Sequence, residues 1–281
     1  PWNDPERYYP GDDYVDWMGT NAFNWGASSS YTEHRFRSVE DIAGPLLDRM
    51  ARLHPTKMQI LLEAGSVDGD GGSRSAWIAD GLRAMAQRPK LRAVVYYNYA
   101  MPDYLDGQDY DFRLDADAAS RAALATAVRD GGYGQTLNEA RSARAIQEPR
   151  GAGARLGVGL ADPGHADAFS NMAGKRHSLV LVFASSASQA ASVRYVLDLI
   201  RRQGRTAFLL WDPTGWRPDD VVAGKHDAQL TQLARYIASV RSTVLVAWGI
   251  EPNNSLSGNS WSGAANGAAA SGAERYVAAW R

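Results

Sequence analysis

The chain has 281 residues, with 30 basic and 31 acidic side chains and a net charge of −1. That length suits one large α/β barrel or two smaller domains, and the near-neutral balance points to neither a nucleic-acid backbone nor a charged membrane surface. No cysteine is present, which excludes disulfides and thiolate metal sites, and no apolar run approaches the roughly 18 residues of a membrane span.

The first residues, Pro1-Trp2-Asn3-Asp4, carry neither an initiator Met nor a signal-peptide pattern, so the chain is expected to be processed or cut from a longer one. The first predicted strand covers 14–19 (YVDWMG) and the second 58–62 (MQILL). A helix is predicted over 73–85, a strand over 91–97 (LRAVVYY) and a helix over 117–128. Residues 131–153, rich in Gly, Ala and charge, break this rhythm and read as a linker. Strands follow at 155–160 (RLGVGL) and 179–183 (LVLVF). A helix over 188–203 has Ala191, Tyr195 and Leu199, flanked by Val196 and Ile200, as its apolar stripe, with Gly204 as its stop. A strand at 206–211 (TAFLLW), a helix over 227–240 with Leu230, Leu233 and Ile237, and a strand at 243–248 (TVLVAW) complete the pattern.

The predicted strands are short and almost continuously apolar, as strands buried on both faces are. Alternating with helices, they predict a parallel sheet. Each runs into a loop rich in Gly, Pro, Asp, Asn or Glu, as at the active-site face of a (β/α)8 barrel. A doubly wound open sheet predicts a similar layout, but neither G-x-G-x-x-G after a first strand nor a P-loop is present. The Gly/Ala/Ser-rich stretch 255–272 is expected to be an active-site loop.

Two carboxylates stand at the ends of buried strands: Glu63 in MQILLEAGS and Glu251 in TVLVAWGIEPNN. Partly apolar surroundings raise a carboxyl pKa, and a facing pair can divide into proton donor and nucleophile. Retaining glycosidases hold such a pair about 5–5.5 Å apart. The alternative is that each Glu is a loop or helix-entry residue.

At these residues the chain resembles glycoside hydrolase family 26, whose members include β-mannanases, lichenases and β-1,3-xylanases. Residues 8–19 (YYPGDDYVDWMG) are similar to the segment entering that family's sixth strand. Residues 57–78 (KMQILLEAGSVDGDGGSRSAWI) are similar to its seventh strand with the nucleophile, which falls on Glu63. Residues 93–124, with Tyr110-Asp111-Phe112-Arg113-Leu114-Asp115, resemble its eighth strand and closing helix. The second half resembles the start of such a domain: 154–174 the opening strand and loop, 208–227 the third strand and next helix. Residues 244–254 resemble the fourth strand with the acid/base, which falls on Glu251, and 275–281 (RYVAAWR) the helix after it.

The resemblance implies a (β/α)8 TIM-barrel type α/β fold with its halves in swapped order and the fifth-strand segment missing. Residues 1–130 would form a C-terminal half-barrel (strands 6–8), 131–153 a linker and 154–281 an N-terminal half-barrel (strands 1–4). Either the chain is a piece of a tandem array, ending one domain and starting the next, or it is a circular permutant with a gap. The linker and the absent Met favour the tandem array. Three positions depart from the family: Ile250 replaces a His, Ala247 an Arg, and Phe23 a Tyr that steadies the nucleophile.

The resemblance implies a retaining endo-β-glycanase acting on β-mannan or a related β-glucan, with Glu63 as nucleophile and Glu251 as acid/base. The alternatives are a catalytically inactive glycan-binding or scaffolding domain and a tandem-domain fragment with an incomplete active site. Nine Trp and 13 Tyr supply flat faces suited to sugar rings. Trp211 and Trp261 are candidate platforms, with Phe23, Trp25, Asp212 and Asn253 as further candidate substrate contacts. No cofactor is expected, and the His residues show no metal-ligand spacing. The 68–72 run, Asp-Gly-Asp-Gly-Gly, lacks the bidentate Glu of a calcium loop and reads as a flexible cleft loop. A polysaccharide is the expected partner, with a neighbouring tandem domain possible and neither nucleic acid nor membrane; the expected location is extracellular or in the cell envelope.

Overall fold

The computed structural model describes residues 3–115, 117–133, 154–188, 190–253, 261–267 and 271–281. The chain divides into two compact units: Trp17–Leu181, and Pro1–Asp16 together with Val182–Arg281. Their boundaries fall after Asp16 and inside a strand at Leu181, and residues 134–153 of the predicted linker lie outside the described residues.

The first unit is a parallel sheet with helices. Its strands are β1 (Trp17–Asn24), β2 (Met58–Ser66), β3 (Leu91–Tyr97), β6 (Arg155–Gly159) and the start of β7 (Leu179–Ser185), paired in that order. Two short strands, β4 (Ala100–Met101) and β5 (Tyr110–Asp111), form an antiparallel hairpin after β3. The helices are α1 (Val39–Leu53), α2 (Arg74–Ala86), α3 (Ala118–Asp130) and α4 (Ala166–Met172). Ile60, Leu61, Val94, Val95, Leu156 and Val158 are buried, as continuous apolar strands covered on both faces require.

Helix α1 has no counterpart among the predicted elements, because Pro45 lies inside it. Proline cannot donate to the Asp41 carbonyl one turn back. Arg37 Nη2 donates to that carbonyl instead, at 2.6 Å, which closes the gap in the ladder. Ser38 and Asp41 form a capping box at its start. Val39, Ala43, Leu47 and Met50 form its buried face. Ser73 caps α2, and Asp117 caps α3 by accepting from the amides of Ala119 and Ser120.

The second unit holds the end of β7, then β8 (Thr206–Asp212) and β9 (Val244–Trp248), with β8 and β9 parallel from Ala207↔Val244 to Trp211↔Trp248. Its helices are α5 (Ala190–Arg202), α6 (Pro218–Val222), α7 (Asp227–Ser239) and α8 (Ala273–Trp280). The predicted phase of α5 is corrected: Val193, Leu197 and Ile200 are buried, whereas Tyr195 is 69% exposed. Val193, Val196, Leu197 and Ile200 follow the i, i+3, i+4, i+7 spacing of one helical face, and Tyr195 lies off it. The N-terminal segment packs on α8: Tyr8 meets Tyr276 edge to face at 5.7 Å, and Arg7 pairs with Glu274 at 2.6 Å.

All seven predicted strands are present, each with boundaries within a few residues except the first, which begins at Trp17 and runs to Asn24. The parallel α/β class is thus as expected. A complete eight-stranded barrel is not shown. Among the described residues no helix is long and apolar enough to cross a membrane.

Candidate functional site

Glu63 lies within β2 rather than at its end, because Ala64, Gly65 and Ser66 go on pairing with Ala22, Phe23 and Asn24 of β1. The strand carries one extra residue just before it. Thr20 and Asn21 of β1 are consecutive but face Leu61 and Glu63, and Val94 and Tyr96 of β3 face Leu61 and Ala64. Such a bulge re-aims the side chains that follow. The Glu63 residue is 6% exposed.

Strand alternation identifies its neighbours. Asn21 is the register partner of Glu63, and Phe23 lies two residues further along the same face of β1. Tyr96 pairs with Ala64, so Tyr97 falls on the Glu63 face. The rings agree: Phe23 and Tyr97 meet edge to face at 5.1 Å, and Tyr97 stacks on Tyr99 at 4.5 Å. Burial raises the Tyr99 phenol pKa, and the Glu63 carboxylate raises it further.

Beyond Phe23 the aromatic surface continues. Trp25 stacks on Tyr104 at 5.2 Å and touches Tyr31 at 5.1 Å and Tyr110 at 4.8 Å. Tyr110 donates its hydroxyl to Asp106 (2.6 Å), and burial followed by that bond pushes its pKa up to about 12. The partly buried Phe23, Trp25, Tyr31, Tyr97 and Tyr104 pack against buried Val67, Tyr110 and Phe112. Of these, Tyr31, Tyr97, Tyr99 and Tyr104 were not among the sequence-predicted site residues. The signal for two of them was an aromatic at every second position, Tyr97 and Tyr99, across the end of β3.

The 68–72 loop, read as flexible, is tied down by its two carboxylates. Asp68 accepts from the Arg74 amide at 2.8 Å. Asp70 accepts from the Ser28 amide (2.8 Å) and hydroxyl (2.7 Å), and these bonds, the amide first, hold it below the usual carboxylate range. Among the described residues, no group of three or more His, Asp or Glu is placed to hold a metal ion.

In the second unit, Glu251 follows β9 by three residues and is exposed. Its φ of 49° is left-handed, a conformation unusual for a residue with a Cβ. Gly249, also left-handed, donates its amide to the Trp211 carbonyl at 3.0 Å, and Gly263 donates to the Pro252 carbonyl at 2.8 Å. Asn253 is exposed, while Asn254 and half of the 255–272 loop lie outside the described residues. Asp212 closes β8 and accepts the Thr214 hydroxyl at 2.9 Å, so its side chain braces the turn.

Trp211 and Trp261 are core residues. Trp211 is 4% exposed and stacks on Trp248 at 4.7 Å. Trp261 is fully buried, meets Trp248 edge to face at 5.4 Å and donates its indole N–H to the Pro213 carbonyl at 2.9 Å. A sugar platform needs an open ring face, and these two rings are spent on packing. Trp216, half-buried, lies parallel to the His226 ring at 3.9 Å.

No protein-family model matches the chain. Endoglucanase H of Acetivibrio thermocellus is 24% identical over 130 residues, which is 46% of this chain and 13% of that protein. The chain thus corresponds to a small part of that relative. Among solved structures, Rhizobium etli pyruvate carboxylase with acetyl coenzyme-A matches 87% of this chain and 21% of its own, at a TM-score of 0.40 and 11% identity, a likeness too slight to carry an argument. The sequence match relates the chain weakly to glycoside hydrolases and to no particular family among them.

Proposed function

We propose that this chain belongs to a retaining endo-β-glycanase in which Glu63 is the nucleophile and Glu251 the acid/base. Glu251, protonated, gives its proton to the leaving glycosidic oxygen while Glu63 attacks the anomeric carbon; Glu251 then takes a proton from the water that releases the sugar. The observation that carries this reading is a buried carboxylate re-aimed by a strand bulge onto a face shared with Phe23, Tyr97 and Tyr99. Aromatic faces beside a carboxylate suit a pyranose ring, whose C–H faces stack while its charge-developing carbon meets the acid. The left-handed backbone at Glu251 supports its part, since backbone strain concentrates at working residues. The relative named an endoglucanase points to a β-glucan; β-mannan is the other candidate. Phe23, Trp25 and Asn253 are proposed substrate contacts, and a neighbouring domain of a longer polypeptide is a proposed partner.

The test is hydrolysis of mixed-linkage β-glucan and β-mannan by the chain and its Glu63→Gln and Glu251→Gln variants. Each variant is expected to lose at least about a thousandfold in kcat, as loss of a covalent nucleophile or its proton donor does. Unchanged turnover in Glu63→Gln removes Glu63 from the mechanism. The three departures at Phe23, Ala247 and Ile250 favour a second reading, a domain that binds glycan without cleaving it. Glycan binding with no turnover at any pH selects that reading.

A further inference from the structure

Tyr99 lies two residues beyond β3, and its backbone carbonyl accepts the Phe112 amide at 3.0 Å, which anchors the loop there. Its ring rests on β6. A Cβ built at Gly159 would stand 3.2 Å from Tyr99 Cε2, so the ring lies on a strand position with no side chain. Gly159 is the register partner of Tyr97, which places the ring on the face of the sheet that holds Glu63. Tyr97 covers the other part of the ring by stacking at 27°. The ring is therefore held from two sides on the Glu63 face. Burial and the Glu63 charge keep its phenol in the protonated, hydrogen-bond-donating form at neutral pH.

We propose that Tyr99 is a positioning residue of the Glu63 site: with a sugar bound, its hydroxyl donates to the Glu63 carboxylate and fixes the rotamer from which that carboxylate attacks. This rests on the glycosidase reading of Glu63. A carboxylate taken out of water needs donors to stay ionised and in one orientation. On this face Phe23 is apolar, Asn21 stands opposite Glu63 and Tyr97 packs ring on ring, and Tyr99 adds a phenol hydroxyl to the donors there. Gly159 contributes by leaving room for the ring, and a larger residue there moves the hydroxyl without removing it.

Two variants of the full chain test this. Tyr99→Phe keeps the ring and removes the hydroxyl; Gly159→Ala keeps the hydroxyl and displaces the ring. The first measurement needs no turnover: the 13C titration of the Glu63 side-chain carboxyl, assigned by its loss in Glu63→Gln. Both variants are expected to move that titration to higher pH, with and without cello- or manno-oligosaccharide. An unmoved titration in a folded Tyr99→Phe overturns the proposal, whether or not the chain hydrolyses glycans. The second measurement is kinetic. Tyr99→Phe is expected to lower kcat by about ten- to a hundredfold, the range for a charge-assisted bond, with KM changed by less than about threefold. The acidic limb of its pH profile is expected to rise with the titration. A wild-type kcat and acidic limb also overturn the proposal. Absence of hydrolysis in the unaltered chain counts against the glycosidase reading alone, and the titration still decides the role of Tyr99.

Discussion

Replacing Trp25 with Ala decides whether that ring is chiefly a packing element or a free-standing sugar platform. It meets Phe23 at 5.3 Å, Tyr31 at 5.1 Å, Tyr104 at 5.2 Å, Tyr110 at 4.8 Å and Phe112 at 5.1 Å. An aromatic pair is worth about 0.5–1.5 kcal/mol beyond the area it buries. Adding five such pairs overshoots, because the remaining rings repack on one another. A fully buried Trp→Ala change costs about 3–5 kcal/mol; Trp25 is half-buried, so the low end, about 3 kcal/mol, applies. With a urea m-value of about 2 kcal/mol/M for a unit of this size, the midpoint falls by about 1.5 M. The assay is urea unfolding of the full chain followed by far-UV circular dichroism, with glycan retardation in affinity gels measured alongside. Trp25→Phe, which keeps an apolar ring, should recover more than half of the lost stability. A midpoint lowered by less than about 0.3 M in Trp25→Ala refutes the packing argument, and with weakened glycan binding it would make Trp25 a platform.

Asp117→Ala removes the acceptor for the Ala119 amide (2.9 Å) and the Ser120 amide (3.1 Å), and should destabilise the first unit by about 1–2 kcal/mol in the same urea assay. Acid should act on the same groups. The carboxyls of Asp117, Asp41 and Asp70 are held below their ordinary values, chiefly by the Ser120 hydroxyl, the Ser38 hydroxyl and the Ser28 amide respectively. Their contribution is therefore complete above the unfolded carboxyl value of about 3.9 and is lost as pH falls through the lower folded values. Urea midpoints should be level from pH 6 to about 5 and drop below about pH 4, with a shallower drop in Asp70→Asn. Glu251→Gly should relieve the left-handed strain and stabilise the second unit by up to about 1 kcal/mol, because the 1–2 kcal/mol penalty of a Cβ there exceeds the added chain entropy of glycine. The same variant should abolish hydrolysis; a stabilised and fully active protein would exclude Glu251 as the acid/base.

Most strands were legible because burial on both faces leaves a local signature, a short run with few polar interruptions; β9 carries the same apolar run although none of its residues is buried. Met58, Leu91, Leu179, Thr206 and Val244 all start strands within a residue of their predicted places. Elements whose stability comes from distant partners were not legible. Helix α1 contains a proline that local propensity forbids, and its tolerance depends on the Arg37 side chain reaching the Asp41 carbonyl. The stripe of α5 was assigned one step out of phase because Tyr195 is apolar in most of its atoms, although its hydroxyl-bearing ring is at home in water. Trp211 and Trp261 stand at or after strand ends, where a platform and a core residue look alike in one dimension; only the ring of Trp248 beside them tells which they are.

The candidate site follows the same division. That Glu63 sits on an apolar strand could be read from MQILLEAGS, and its burial agrees. That β2 continues to Ser66 with an extra residue before Glu63 could not, because a bulge exists only relative to the registers of β1 and β3. The bulge is what carries the chemistry. Without the register shift, a strict alternation of two from Leu61 through Leu62 would set Glu63 on the Leu61 side of the sheet. With it, the register of everything after Leu61 is reset, and the face of Glu63 becomes the one lined by Phe23, Tyr97 and Tyr99. A deletion of Leu62 takes out the extra residue and leaves Glu63 opposite Asn21, so it should keep β2 paired and the carboxylate on the face of those rings. In that variant the Glu63 carboxyl titration should still respond to Tyr99→Phe, and a lost response would show that register with Asn21 does not set the face of the side chain.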